Sequence, residues 1–456
     1  MQDAIVIGAG IAGLTAARQL QKRGLDVAVL ERASRPGGPI LSCREDGYLV
    51  EKGPNSLLLP DPWADAFIEE IGLSDQRLET RPEAKRRYIV RDGRAVPVPA
   101  SPLQAAATPL FSLRAKLGFL GEPFRPPPGD ADDPDESVAA FVRRRLGPEF
   151  LDYAIDPFVS GIYAGDPEEL VLRHAFPLMR ELEREGGSLV RGSLARRRRL
   201  KRSGQAYRKR SISFRDGLET LPKRLAATLG NRLWLGSEVA RIERAGVAWR
   251  VAWTQGGEPF EAATRCLLLC LPAFAVKALP WPDPLRRALR SAPDLPYPAV
   301  HSLALGFLRA QVAHPLDGFG VLAPSKERRD ILGALFSSSL FPGRAPEGRC
   351  LLTVMLGGRR KPELAEADEP TLRALALADL RALLGVEGEP EFASLATWPR
   401  AIPQYTAAFG PWSETLRSLQ EAHPGLRFGG HAIDGISLGA CLLSGKRVAE
   451  AVPDPA

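Results

Sequence analysis

A chain of 456 residues, 45% hydrophobic and 25% charged, has the composition of a folded globular protein of about two or three domains and excludes a disordered or fibrous one. No apolar run approaches transmembrane length, and no basic segment leads into a hydrophobic stretch at the N-terminus. The expectation is therefore a chain that starts at Met1 with neither a span nor a secretory leader. The net charge of +7 is local: Arg191 to Arg210 holds ten basic residues and no acid, and +7 less 10 leaves −3 for the rest.

In chain order, Ala4 to Ile7 reads as a buried strand, Gly8-x-Gly10-x-x-Gly13 as its turn, and Leu14 to Gln21 as the following helix. Gly8 permits the tight turn, Gly10 lets the backbone approach a pyrophosphate, and Gly13 allows close packing of helix on strand. A second strand, Asp26 to Leu30, ends in Glu31, whose carboxylate stands where an adenosine ribose would need an acceptor. The same acid repels a 2′-phosphate, so NADP is not the expected occupant.

Glu122 to Ser137, EPFRPPPGDADDPDES, reads as a link that cannot hold regular structure throughout, and helices with Gly and Pro breaks follow it. The basic run Arg191 to Arg210 reads as a mobile solvated loop, with docking to an anionic membrane surface as the second reading. Its single aromatic, Tyr207, argues against a nucleic-acid groove. From about Gly217 the pattern returns to an amphipathic helix, then two strands in LWLGSEVARIERAGVAWRVAW, then a buried strand ending at Pro272. A sheet that resumes after a long excursion implies an insertion into one nucleotide-binding domain. Cys43, Cys266, Cys270, Cys350 and Cys441 form no CxxC pair, which points to reduced thiols, a cytoplasmic protein and no metal site.

Seven blocks together resemble the protoporphyrinogen and coproporphyrinogen oxidase family of the flavin amine oxidase superfamily. They are GGPILSCREDGYLVEKGPNSL from Gly37, RRYIVRDGRAVPVP from Arg86, DPFVSGIYAGDPEELVLRHAFP from Asp156, GFGVLAP from Gly318, VMLGG from Val354, IPQY from Ile402 and GGHAIDGISLGACLLSGK from Gly429. The resemblance spans nearly the whole chain. It implies that the turn holds the pyrophosphate of FAD, and that Gly8, Gly10, Gly13, Glu31, Gly37, Gly38, Gly53, Pro54 and Asn55 line the cofactor, with Val239 on the adenine side. It also implies that Gly435, Ile436, Ser437 and Leu438 start a helix facing the flavin, where its positive end would stabilise the reduced ring. Pro39 stands where many amine oxidases carry an arginine against the pyrophosphate, so that cation is absent.

For the substrate, the resemblance implies a porphyrinogen whose propionate pairs with Arg87, with Leu322, Leu335 and Met355 as apolar walls and Gly161 beside the macrocycle. Taken alone, Arg87 between charged neighbours reads as a surface residue, and the three apolar residues read as core. Tyr405 either touches the flavin pocket or packs beneath it. His431 reads as a structural histidine, since hydride loss from a porphyrinogen needs little acid or base help.

The expected fold is α/β: a Rossmann-like FAD domain of glutathione-reductase type from residues 1–80, 211–275 and 398–456, a mixed-sheet substrate domain from 81–95 and 276–397, and a mostly helical insertion over 96–210. The insertion would cover one side of the porphyrinogen cavity, and relatives use the corresponding region at membranes. The expected reaction is oxygen-dependent oxidation of protoporphyrinogen IX in haem synthesis, yielding hydrogen peroxide. Coproporphyrinogen III is the alternative substrate, and a flavin amine oxidase or a non-catalytic flavoprotein are more distant readings. The expected partners are the porphyrinogen, molecular oxygen and a peripheral membrane contact, with no nucleic acid. Nothing in the sequence sets the oligomeric state.

Overall fold

The computed structural model describes residues 1–126, 133–203 and 207–454. The strand Gln2–Ile7 has four buried residues in succession, the pattern of a strand covered on both faces. It pairs in parallel with Val27–Glu31 on one side and with Glu258–Leu269 on the other. Leu233–Leu235 extends the parallel sheet beyond Val27–Glu31, and Leu426–Phe428 pairs with the end of Glu258–Leu269. The near half of that long strand turns into an antiparallel meander with Ala248–Gln255 and Ser237–Ala245. The sequence stretch read as two strands therefore supplies three, because Gly236 breaks the first run at a φ of 65°.

Two apolar layers sandwich this sheet. Helices Ile11–Lys22, Thr220–Leu229 and Leu438–Glu450 cover one face together with Pro62–Glu70. Residues of Ile11–Lys22 and Leu438–Glu450 touch backbone to backbone: a Cβ on Gly445 would fall 2.3 Å from the Ala12 carbonyl oxygen. Arg23 ties the same two ends of the chain by donating to the carbonyls of Ala449 and Val452, both at 2.7 Å. The opposite layer mixes Phe409–Ala422 with residues 138–172, so the helical segment shares a core with the nucleotide-type sheet.

A second sheet runs Phe392–Trp398, Val300–Leu308, Arg349–Gly357, Ile331–Leu335, Gly318–Leu322, Arg86–Arg91, Arg94–Pro97. All its pairings are antiparallel except Gly318–Leu322 with Arg86–Arg91. Strand residues alternate between faces. One set, including Leu303, Leu305, Val321, Ala334, Leu352 and Val354, packs under the helix Glu369–Leu384. The other set faces away from that helix.

The helical stretch departs from expectation at one place. Leu189–Arg202 is a helix and not a loop, capped by the Ser188 hydroxyl, which accepts from the Arg191 amide at 3.3 Å. Arginine is a good helix former, and the charge run obscured the cap. Residues 204–206 of the basic segment lie outside the described residues. In the link, residues 127–132 also lie outside them, but Glu122 is fully buried. Its carboxylate accepts from Arg145 at 2.7 Å, from the Ser188 hydroxyl at 2.6 Å, and from the amides of Leu189 and Val190 at 2.9 and 3.2 Å. A buried acid at a helix N-terminus satisfies free amides and opposes the helix dipole.

Candidate active site

The glycine turn has the shape its spacing requires. Gly8 adopts a φ of 103°, and a Cβ on Gly13 would sit 1.9 Å from the Gly8 oxygen, so no larger residue fits either place. A Cβ on Gly10, by contrast, would meet nothing within 4 Å, which leaves open space above the helix start. Gly10 is the N-cap of Ile11–Lys22 and supplies no side-chain cap, so first-turn amides remain available to an anion. Glu31 ends the second strand with its two carboxylate oxygens accepting from the amides of Ala9 and Ala33, each at 2.8 Å. Each oxygen keeps a lone pair for a ribose hydroxyl. Leu235 pairs opposite Glu31, and the Gly236 amide reaches the Ala33 oxygen, so Val239 lies on the strand that starts at the same end of the sheet.

The loop of Gly37 and Gly38 closes on this turn. The Gly37 amide donates to the Ala9 oxygen at 2.8 Å, and both glycines have positive φ. The loop is not without a cation, as Pro39 alone would imply. Arg35 folds back to donate to the carbonyls of Gly38 and Ile40 at 2.7 and 3.0 Å.

Gly53 packs so closely that a Cβ would lie 2.0 Å from the Pro39 oxygen. Asn55 bonds back to the Gly53 oxygen at 3.1 Å, holding Pro54 between them. The neighbouring Lys52 connects this loop to the second sheet: its carbonyl accepts from the Trp398 indole at 2.8 Å and its ammonium bonds the Ser394 hydroxyl.

The C-terminal segment meets the turn from the other side. Ser437 caps Leu438–Glu450 by accepting from Ala440 at 3.1 Å, which places Gly435 and Ile436 just before the helix. Tyr405 is buried and fixes this stretch: its hydroxyl donates to the His431 oxygen at 2.7 Å and accepts from the Gly435 amide at 3.0 Å. His431 itself is half-buried, and desolvation of its ring pulls its pKa down to about 4, so the ring is neutral near pH 7. The ring Nε2 has no partner among the described residues.

Arg87, Leu322, Leu335 and Met355 come together on the second sheet. Leu322 pairs with Ile89 and Gly333, Met355 pairs with Gly333 and Ser302, and Leu335 pairs with Gly320. By alternation these residues and Arg87 share the face turned away from Glu369–Leu384. Leu322, Leu335 and Met355 are half-buried although their strand neighbours are buried. Gly320, Gly333 and Ser302 between them add little bulk, so the face is a shallow apolar wall. Arg87 is exposed; its guanidinium has no hydrogen-bond or ion-pair partner among the described residues and rests 5.4 Å from the Phe319 ring centroid.

The helix Asp156–Tyr163 stands against this wall. A Cβ on Gly161 would be 2.8 Å from Leu322 Cδ2. Phe158, three residues before Gly161 on the helix, and Ile162, four after Phe158, are 46% and 37% exposed, and sequence reasoning had not singled them out.

A glycine cradle above free helix amides, an acid at the end of the second strand, and a capped helix meeting them from the C-terminus suit a flavin adenine dinucleotide, and the class they define is the flavin-dependent oxidoreductases. The chain belongs to the family described as flavin containing amine oxidoreductase, whose profile matches residues 11–453. It is 32% identical to protoporphyrinogen oxidase 2, chloroplastic/mitochondrial, of Arabidopsis thaliana, over 98% of this chain and 93% of the relative. It is 26% identical to coproporphyrinogen III oxidase of Bacillus subtilis, over 97% and 96%. Among solved structures, a protein of Exiguobacterium sp. 255-15 superposes with a TM-score of 0.79 at 24% identity, over 99% of this chain and 98% of the other, which shows the shared fold.

Proposed function

We propose that this protein oxidises protoporphyrinogen IX to protoporphyrin IX, taking residues 1–80, 211–275 and 398–456 as the FAD-holding part and residues 81–95 and 276–397 as the substrate part. The observation that carries the reading is the apolar wall of Leu322, Leu335 and Met355 beside Gly161, with the unpaired Arg87 on the same face. A large, mostly apolar macrocycle with carboxylates at one edge matches that distribution of surface. The relatives named above act on porphyrinogens by name, which supports the same substrate class.

Bound FAD supplies a two-electron acceptor for hydride, so a six-electron oxidation needs three reductions, each reversed by molecular oxygen with release of hydrogen peroxide. The chain's own residues bind and orient. Arg87 anchors a propionate, the wall and Gly161 support one side of the ring, and the Ser437-capped helix would present its positive end to the flavin. No side chain is required to take the proton. His431, neutral at pH 7, holds its segment in place through its backbone. Coproporphyrinogen III is the second reading, supported by the Bacillus subtilis relative.

The test is porphyrin fluorescence in air with each porphyrinogen, against a protein-free control. A faster rise with protoporphyrinogen IX is expected. A higher specificity constant for coproporphyrinogen III would move the substrate assignment, and no rise with flavin bound would end the reading.

The helical part carries a further proposal, peripheral docking to an anionic membrane. Leu103, Leu113, Leu117, Leu120 and Phe124 are 59–82% exposed, and the basic helix approaches the same place, with Arg191 5.9 Å from the Phe124 ring centroid. No helix of the described residues is long and apolar enough to cross a membrane. Sedimentation with anionic vesicles at low salt should carry the protein down. Equal binding after Arg196, Arg197, Arg198 and Arg199 are changed to glutamine would remove the basic helix from the contact, since each cation near such a surface adds about 1 kcal/mol.

A further inference from the structure

Arg360 is an arginine almost withdrawn from solvent, its side chain 11% exposed, on the loop after Arg349–Gly357. One guanidinium nitrogen donates to the Ser160 hydroxyl at 2.8 Å and the other to the Ala323 carbonyl at 2.8 Å. These two acceptors are the chain neighbours of Gly161 and Leu322, the pair that meets across the helix and the wall. One guanidinium therefore spans the contact from behind. A second link runs one helical turn back. Asp156, 7% exposed, accepts from the amide and the hydroxyl of Ser325, both at 2.7 Å, and lies 3.7 Å from the Arg360 guanidinium.

A buried cation carries a desolvation penalty, and an apolar residue could have filled the volume. What the guanidinium adds is geometry: a planar fork with fixed donor directions reaches two elements at once, which neither lysine nor leucine does. Helix and wall are thereby held at a separation so small that position 161 has no room for a Cβ.

We infer that Arg360 is a positioning residue for substrate: it clamps the helix Asp156–Tyr163 to the strand Gly318–Leu322 and so holds Gly161 and Leu322 in contact as one continuous surface against which the macrocycle lies. The inference rests on the porphyrinogen reading above. Arg360 touches neither substrate nor cofactor, so its loss loosens binding and leaves the flavin as it was.

The experiment compares the FAD-loaded wild type with Arg360→Leu, Arg360→Lys and Ser160→Ala, measuring KM and kcat for protoporphyrinogen IX, the flavin absorption spectrum and the Tm. Arg360→Leu should raise KM about tenfold with kcat within about twofold, the signature of lost binding common to ground and transition states. The flavin spectrum should not move. Arg360→Lys should recover part of KM, since an ammonium reaches one acceptor at a time, and Ser160→Ala should raise KM about threefold.

If Arg360→Leu does not fold, Ser160→Ala carries the test, because it keeps the charge next to Asp156. A double-mutant cycle with Leu322→Ala should be non-additive in KM, as residues acting on one contact are coupled. Unchanged KM in Ser160→Ala and Arg360→Lys, additive effects, or a fall in kcat that tracks flavin loss would each overturn the inference. Absence of turnover by the wild type would instead overturn the functional reading, and this inference with it.

Discussion

The parallel sheet and the helical stretch over residues 96–210 are stabilised in opposite ways. The sheet is sealed by apolar layers on both faces, and its glycines let backbone touch backbone at distances that exclude a single methyl group. The helical stretch joins Arg144, Arg145 and Arg180 to Glu122, Glu136 and Glu183 in a partly buried ionic network, while leaving large apolar side chains in solvent. In the first region, shape selects the residues. In the second, charge does, and the apolar surface remains free for another purpose.

Single substitutions should expose this contrast, and the largest effect belongs to the sheet. Gly13→Ala places a methyl group 1.9 Å from the Gly8 oxygen and should abolish bound flavin, read as loss of the yellow absorption in whatever protein remains soluble. Retained flavin would mean that the turn has slack. Glu122→Gln should lower stability, seen as a clear fall in Tm, by leaving the buried Arg145 with Glu183, at 3.3 Å, as its counter-charge in place of two carboxylates. A Tm within a degree or two of wild type would show that the network contributes little.

The same carboxylate sets a pH dependence. Burial works to raise the Glu122 pKa. The bonds from Ser188, Leu189 and Val190 and the charge of Arg145 outweigh it, leaving the group below its ordinary value of 4.5. A lowered folded-state pKa stabilises above the unfolded value and is lost as pH falls through the folded one. Stability should therefore drop on acidification below about pH 4.5, and by less in Glu122→Gln. Parallel acid titrations of the two proteins by circular dichroism would check the difference.

Two smaller effects sharpen the contrast at the site itself. Glu31→Gln turns one of two acceptors into a donor that faces a backbone amide, and should weaken FAD binding about tenfold in equilibrium dialysis. Arg87→Ala should raise KM severalfold with the flavin spectrum intact, because the contact its guanidinium loses within the protein is with the Phe319 ring on the wall and not with the cofactor loops. Unchanged steady-state constants would remove it from the substrate contact.

The parts of the molecule legible in the sequence are those where geometry demands one residue type at a fixed spacing. Gly8 and Gly13 mark the turn because no larger residue fits there, while Gly10 leaves the helix start open and Glu31 ends the second strand with an acceptor. The apolar wall was reachable only through resemblance, since Leu322, Leu335 and Met355 alternate with buried neighbours like any core strand and only the assembled sheet leaves one face open. Glu122 and Arg360 were missed because a buried charge looks like a surface charge until its partner is known. Those partners stand 23 residues away for the Glu122–Arg145 contact and 200 for Arg360–Ser160. For Leu189–Arg202, Ser188 was the signal, and the arginine run hid it.

The grip of Arg23 on the carbonyls of Ala449 and Val452, and the pairing of Leu426–Phe428 with Glu258–Leu269, also bear on how the protein is made. Synthesis runs from the N-terminus, so the glycine turn emerges early and then waits for nearly the whole polypeptide before its sheet and covering helix are complete. During that interval the first strand and helix have apolar faces without their final cover. Flavin capture accordingly waits until Leu426–Phe428 and Leu438–Glu450 have emerged to complete the sheet and its cover.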